Sequence, residues 1–591
     1  MELLRSRGVN GRQPDLEKTA EYYDYHALAL VLVSEYLHTF HDGRVEKALE
    51  IPLIANKTKA GRHAMSVMKA YDVALQRDGE ELDREMVRML GLFDRPAEPA
   101  AMAALKNAQP IPRLTTLYCK ATPLEVEESL ARLRQWGLLN PGTDLDAHPL
   151  VREWFGEALQ TESRFAFQLA HTLLFRHYQR VPKNRRPDTL EELAPLYRAV
   201  NHGCSAKVYQ EAFAHVYMDR IQRGNQFYNM NTLGNYSSDL SAISGFFPFG
   251  FENMPVDSLV RADRNWLVGQ LSYLLVSLGR LTEAVWPQKV SVQLAEQEED
   301  WSNAAIYAQN LTDLLLPLGK FAEAMDAVCK GMGFVEKIVD GEKRLFQKMV
   351  CSAYQARVAH MQGRFTEAST AFKRAEELQM EKYPSFPRLN SLRGTRYAEF
   401  LLECVSTLGE REEVLDRGRY IGGLLKGRPM EKSLGNLITG LALASLDRIQ
   451  EALPYMETAV VDMRRAGRSD KLPWILLAHA KVLHHHGDFD LAKMQISEAQ
   501  EIGERGEMRL YLADSYLLAG EIALDEGRQA LEEYNKAKQL ISEMGYERRW
   551  GELLLLRARI HKSPRLFLEA LAHFRKLGQL GLLDWYKDIQ V

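Results

Sequence analysis

The chain has 591 residues, 46% of them hydrophobic and 26% charged, the balance of a folded protein with a large core. Its 75 Lys and Arg stand against 79 Asp and Glu, and a formal charge of −4 gives no global pull toward nucleic acid or an anionic membrane. Five scattered cysteines (Cys119, Cys204, Cys329, Cys351, Cys404) with no CxxC pair exclude a disulfide framework and a thiolate zinc site. Apolar stretches such as Ala27 to Val33 fall far short of the roughly 18 residues a bilayer span needs. The opening MELLRSRGVNGRQPD has no apolar segment of the signal-peptide kind. These features set the expectation of a cytoplasmic chain.

Helical periodicity dominates from the start, and alternating β-patterns of five or more residues are nearly absent. Residues 15–40 predict one strong amphipathic helix or a helix pair. Residues 82–93 place Leu82, Met86, Met89, Leu90 and Phe93 on one helical face, and 97–108 form a second short helix. A third begins at Thr122-Pro123-Leu124-Glu125, a capping box with Pro at the first helical position, and carries Val126, Leu130, Leu133 and Trp136 on its apolar face. After Gly137 the chain turns through NPGTD and re-enters a helix at His148-Pro149. Three short helices followed by a two-strand wing is the outline of a winged helix. Further on, residues 244–251 (SGFFPFGF) form an aromatic loop, either packing at a domain junction or offering a hot spot to a partner.

From about residue 265 a phrase recurs: small, six residues, Gly, four residues, Ala, six residues, small. Its central position is Gly279, Gly319, Gly363, Gly409, Asp447, Gly487, Gly527 and Arg565, at intervals of 40, 44, 46, 38, 40, 40 and 38 residues. Seven-residue separations put the small side chains on one face of each of two helices, so they mark the crossing within a hairpin. The central Gly sits in the turn, where a positive φ costs other residues most. Around Gly409 the small positions hold Leu402, Val414 and Ile421, and that hairpin is expected to be irregular. The phrase stands as GRLTEA (279–284), GKFAEA (319–324) and GRFTEA (363–368), and resembles the tetratricopeptide repeat stretched to about 40 residues. The resemblance implies an α-solenoid of about seven to eight hairpins with a concave surface lined by each first helix.

YHALALVL (25–32), LGLFDRP (90–96), LARLRQWGLL (130–139) and DAHPLVREWFGE (146–157) together resemble the helical and winged-helix modules of STAND NTPases, relatives of the NB-ARC and NACHT proteins. The resemblance implies the C-terminal part of such a protein. Its order is a helical module (1–75), a winged-helix-like module (76–160), a helical connector (161–260) and a repeat array (261–591). Leu28, Ala29 and Leu30 match the family's leucine phrase, with Ala27 in place of its usual Pro. By the same resemblance His148 stands where the family's His reaches a nucleotide phosphate; read from the residues alone, it equally caps the following helix. No G-x-x-x-x-G-K-[ST] loop occurs, so the chain is expected not to hydrolyse ATP by itself, and to work with a nucleotide-binding domain in cis or in trans.

No HExxH, GxSxG, kinase or EF-hand phrase is present, and no enzyme, cofactor or metal is expected. His484-His485-His486 cannot converge on one ion, because consecutive helical residues point about 100° apart. The best candidate reading helix of a DNA-binding regulator, the alternative function, begins with Glu125, Glu127 and Glu128, and residues 76–160 carry 10 Lys and Arg against 14 Asp and Glu. Phosphate attraction is absent there, so nucleic acid is not an expected partner. The remaining reading is a mainly α, non-catalytic sensor or scaffold arm that binds a protein or peptide in the concave groove and touches no membrane. The repeat register turns Asn303, Tyr307, Asn310 and Asp313 toward that groove, as contacts or as solvated polar residues.

Overall fold

The computed structural model describes residues 1–52, 59–77, 80–424 and 428–586, and every regular element among them is helical. None of these helices is long and apolar enough to cross a membrane. The chain forms two compact units, Met1–Gly224 and Asn225–Val591, and the boundary falls inside the segment read as a connector.

In the first unit the 15–40 pattern is a helix pair. Gln13–Tyr22 is followed by α1 (Ala27–His41), with Asp24 and Tyr25 in the left-handed region between them. Next come α2 (Lys59–Arg77), α3 (Glu81–Leu90), α4 (Pro99–Lys106), α5 (Pro123–Gln135), α6 (Pro149–Glu162), α7 (Arg164–Arg180) and α8 (Leu190–Ser205). The capping box at α5 is formed from both sides by Thr122 and Glu125. Gly91, ending α3, and Gly156 of α6 bring their backbones together; a Cβ on Gly91 would stand 2.4 Å from the Gly156 nitrogen. The expected two-strand wing is reduced to one antiparallel bridge, Ala97 to Leu145. Between Asn140 and Asp146 the chain closes on itself by an Asn140 N–H bond to the Asp146 carbonyl (2.8 Å), and Pro141 has no N–H to extend a ladder.

The second unit holds the repeat array as eight hairpins. The first four pair α9 (Arg261–Ser277) with α10 (Leu281–Gln297), α11 (Trp301–Leu315) with α12 (Phe321–Glu336), α13 (Gly341–Met361) with α14 (Phe365–Lys382), and α15 (Ser391–Cys404) with α16 (Leu408–Leu424). The next four pair α17 (Pro429–Ser445) with α18 (Ile449–Arg465), α19 (Leu472–His486) with α20 (Phe489–Arg505), α21 (Arg509–Asp525) with α22 (Leu531–Met544), and α23 (Trp550–Ile560) with α24 (Pro564–Leu577). A short helix, α25 (Leu580–Trp585), follows.

The small positions make the crossings. Ser272 Oγ donates to the Ala284 carbonyl (3.3 Å) and Thr312 Oγ1 to the Ala324 carbonyl (3.4 Å), the same register in successive hairpins. A Cβ on Gly440 would lie 3.4 Å from the Ala452 carbonyl, again in that register. Gly279, Gly319, Gly363, Asp447, Gly487 and Gly527 all have positive φ in their turns.

Two register assignments are corrected. Gly409 is not a turn residue; it lies in the first turn of α16, because Val405 leaves α15 in extended conformation and Thr407 caps α16. In the last hairpin the left-handed residue is Lys562 (φ 48°), since Arg565 already lies in α24 behind the Ser563 cap and Pro564.

The array also closes on itself. The Ser469 N–H donates to the Ser277 carbonyl (2.9 Å) and the Leu510 N–H to the Pro317 carbonyl (3.0 Å). The Phe321 and Tyr546 rings meet at 5.7 Å, and Gly363 lies against Glu547. The turns of hairpins one, two and three therefore rest on the starts of hairpins six, seven and eight. The inner faces of the early and late first helices confront each other across a narrow interior.

Candidate functional site

The inner wall is built by a fixed place in each repeat. The residue six before the turn residue is Tyr273, Asp313, Arg357, Leu441, Lys481 and Glu521 in six of the hairpins, and all but Tyr273 line interior cavities. On α15, Arg393, Arg396, Glu399 and Glu403 follow at three- and four-residue steps and share one helical stripe. That face buries charge instead of apolar area.

The charges are paired across the interior. Arg548 Nε donates to Glu403 (2.9 Å), a second Arg548 nitrogen lies 3.0 Å from Glu399, and Arg357 donates to Glu399 (3.0 Å). Burial disfavours the Glu399 and Glu403 carboxylates, but Arg357 at the first and Arg548 at both outweigh it and hold them well below the usual range. His360 Nε2 lies 2.9 Å from Glu403, yet burial and the Arg548 charge push its pKa down to about 3. Lys471 reaches Asp313 at 2.7 Å and Asp470 at 3.3 Å. Replacing either partner of such a pair strands a buried charge.

Between α15, α17, α19, α21, α23 and α25 these contacts leave a chamber of about 150 Å³. Trp474, Trp585 and Tyr586 supply rings, Leu477, Leu517 and Leu518 supply apolar wall, and Lys481, Glu521 and Glu552 supply charge. Tyr586 Oη donates within reach of Glu552 (3.1 Å) and Glu521 (3.2 Å). Lys481 stands 3.6 Å from Glu552 and 5.1 Å from the centre of the Trp585 ring. Burial raises the Glu521 pKa, against the pull of His484 and Lys481. A second, smaller chamber of about 20 Å³ adjoins it, with Tyr511 lining both.

Of the residues singled out from sequence, Asp313 lines the smaller chamber, where Lys471 engages it. Asn303 is exposed and bonds to Asp300 in the first turn of α11; Asn310 is exposed. Tyr307 lies against Gly269, and its carbonyl accepts from Gln288 (2.8 Å). The structure therefore does not gather these four around one space. His148 accepts from the Leu150 N–H through Nδ1 and caps α6, and burial lowers its pKa. In the histidine run, His484 lies 2.6 Å from Asp525, His485 packs on Trp585, and Gly487 ends α19. Among the described residues no group of three or more His, Cys, Asp or Glu is placed to hold a metal ion. In the aromatic loop Phe246 and Phe247 are buried, Phe251 meets Phe247 edge-on, and Phe249 is 80% exposed. The acidic start of α5 (Glu125, Glu127, Glu128) is exposed.

Buried neutral histidines set a pH window. Burial pushes His202 and His479 down to about 4, as it does His360 to about 3. The unfolded chain takes up protons near pH 6.5 that the folded chain refuses, so stability falls as pH drops from 6.5 toward 4. At pH 5 each such histidine costs about 2 kcal/mol. Melting midpoints are expected to fall between pH 7 and 5, with a shallower slope in His479→Leu; a flat profile in the parent would overturn the assignment.

No protein-family model matches the chain, and no curated protein does. Among solved structures, the chain is similar to a Signal Transduction ATPase with Numerous Domains (STAND) protein with a tetratricopeptide repeat sensor from Pyrococcus horikoshii, at 14% identity and a TM-score of 0.29, over 95% of this chain and 71% of that one.

Proposed function

We propose that this chain is the non-catalytic sensor arm of a STAND-type signalling protein, holding a compact ligand in the inner-wall chamber and working with a nucleotide-binding domain in cis or in trans. The order of modules legible in the sequence supports the first part. The chamber carries the second: a purely structural solenoid gains nothing by gathering two indoles, two tyrosines and charged groups of both signs around a cavity. A compact ligand is favoured over an extended peptide because the inner wall is taken up by its own ion pairs, Arg548 with Glu399 at the edge of the chamber and Asp313 with Lys471 beyond it. The acidic face of α5 offers nothing to a DNA backbone, and the regulator reading gains no support from it.

The test is a thermal-shift and tryptophan-fluorescence screen with a panel of small organic acids, sugars and nucleotides. Saturable hits are expected, and Ala478→Phe, which plugs the chamber, should abolish them. Hits that survive the plug, or no hit from any class, would overturn the reading.

A further inference from the structure

The smaller chamber differs from its neighbour in charge. Four basic side chains line it (Arg357, Arg393, Arg396 and Lys471) against one carboxylate, Asp313. Behind the wall, Glu399 takes both Arg357 and Arg396 (3.0 and 3.2 Å), and Asp470 takes Lys471. Those two carboxylates are not free for the chamber, because Glu399 also serves Arg548 and Asp470 also serves Arg468 (2.7 Å). Arg393 is left over. Among the described residues it makes no ion pair, its Nε is buried without a hydrogen-bond partner, and its guanidinium lies 5.8 Å from the centre of the Phe346 ring. Glu431 acts on it only from a distance and is itself bonded by Ser391 Oγ (2.7 Å). Desolvated cations in excess, with fixed guanidinium forks, are a demand for an anion.

Shape narrows the ligand further. About 20 Å³ holds a water or two, the room a carboxylate group needs. The Tyr354 and Tyr511 side chains line the same space and add hydroxyl donors. Tyr511 lines both chambers, and Arg396 of the smaller one lies 3.4 Å over the ring of Trp474 in the larger, so a group held here stands beside an aromatic space.

We propose that the smaller chamber is a carboxylate site, with Arg393, flanked by Arg396 and Lys471, receiving the acid group of a small organic acid whose apolar body lies between Trp474 and Trp585. This rests on the ligand-chamber reading and names the ligand class for it. The chemistry asked of the site is binding alone.

The experiment titrates the full chain at constant ionic strength with formate, benzoate and the neutral isostere benzamide, with chloride as the background, by calorimetry and melting midpoint. Formate should bind weakly and benzoate at least tenfold more tightly, while benzamide gives no shift. Arg393→Met should lose formate and benzoate binding by tenfold or more and yet melt no lower than the parent, since it removes a desolvated cation that no ion pair offsets. Ala478→Phe should keep formate binding while benzoate falls to the formate level. Anion binding unchanged in Arg393→Met, benzamide equal to benzoate, or no effect of either acid would overturn the carboxylate site. Formate binding with no benzoate advantage would leave the anion site standing and overturn the chamber reading instead.

Discussion

Replacing Arg548 by methionine will lower the unfolding free energy of the array by about 3–5 kcal/mol, the largest loss expected of any single surface-to-surface contact in it. Arg548 is 2% exposed in side chain, and its guanidinium holds Glu399 and Glu403 on α15, 149 and 145 residues away. Removing it takes from the buried Glu403 its main cation and from Glu399 one of three, leaving Glu399 to Arg357 and Arg396. Methionine keeps most of the apolar stem packed, so the loss reports charge, not volume. Urea unfolding of Arg548→Met and of the triple variant Arg548→Met, Glu399→Gln, Glu403→Gln measures the effect. The triple variant should recover part of the loss. A single-variant loss under 1 kcal/mol would mean that closure across the interior does not stabilise the array.

Gly435→Val will be the second severe change, costing about 3 kcal/mol by overpacking. Here α16 and α17 cross backbone on backbone. A Cβ on Gly435 would stand 2.4 Å from both the Cα and the nitrogen of Gly422, and one on Gly418 would stand 2.6 Å from the Thr439 nitrogen. Neither neighbour is the mobile end of a side chain, so the helices themselves must part. Gly423 of α16 meets nothing within 4 Å, and Gly423→Val is the uncrowded control for a Gly-to-Val change in a helix of this pair. Equal midpoints for the two variants would contradict the crossing.

The hairpins were legible because their constraint is local. Small residues at −7 from the turn, and Ala near +5, are demanded by a crossing between neighbours in sequence, and Ser272, Thr312, Ala356 and Ala480 each occupy that place. Thr122 and Glu125 announced their cap for the same reason. The wing was misread because one bridge and a proline-containing turn leave much the same sequence trace as a short ladder. The chamber was not legible, since Asp313 and Lys471 are 158 residues apart and nothing local pairs them. One signal was present: Arg393, Arg396, Glu399 and Glu403 form a charged stripe on a helix that also carries Tyr397 and Phe400. Charges at that spacing on an otherwise packed repeat helix mark an inner wall, whereas Asn310, which the repeat register alone turns toward the groove, is exposed.

The closure of the array has a consequence for how such a chain can change over time. In an open solenoid each unit touches only its neighbours, so units are gained or lost at the cost of one interface. Here Ser277 meets Ser469 and Pro317 meets Leu510, spacings of 192 and 193 residues that amount to five hairpins. Insertion or deletion of one hairpin between the fourth and the sixth would misalign every such contact at once, and would set Lys471 and Arg548 opposite side chains they do not match. The number of hairpins between the first and the sixth is therefore as much a structural constant of this protein as any residue in its core.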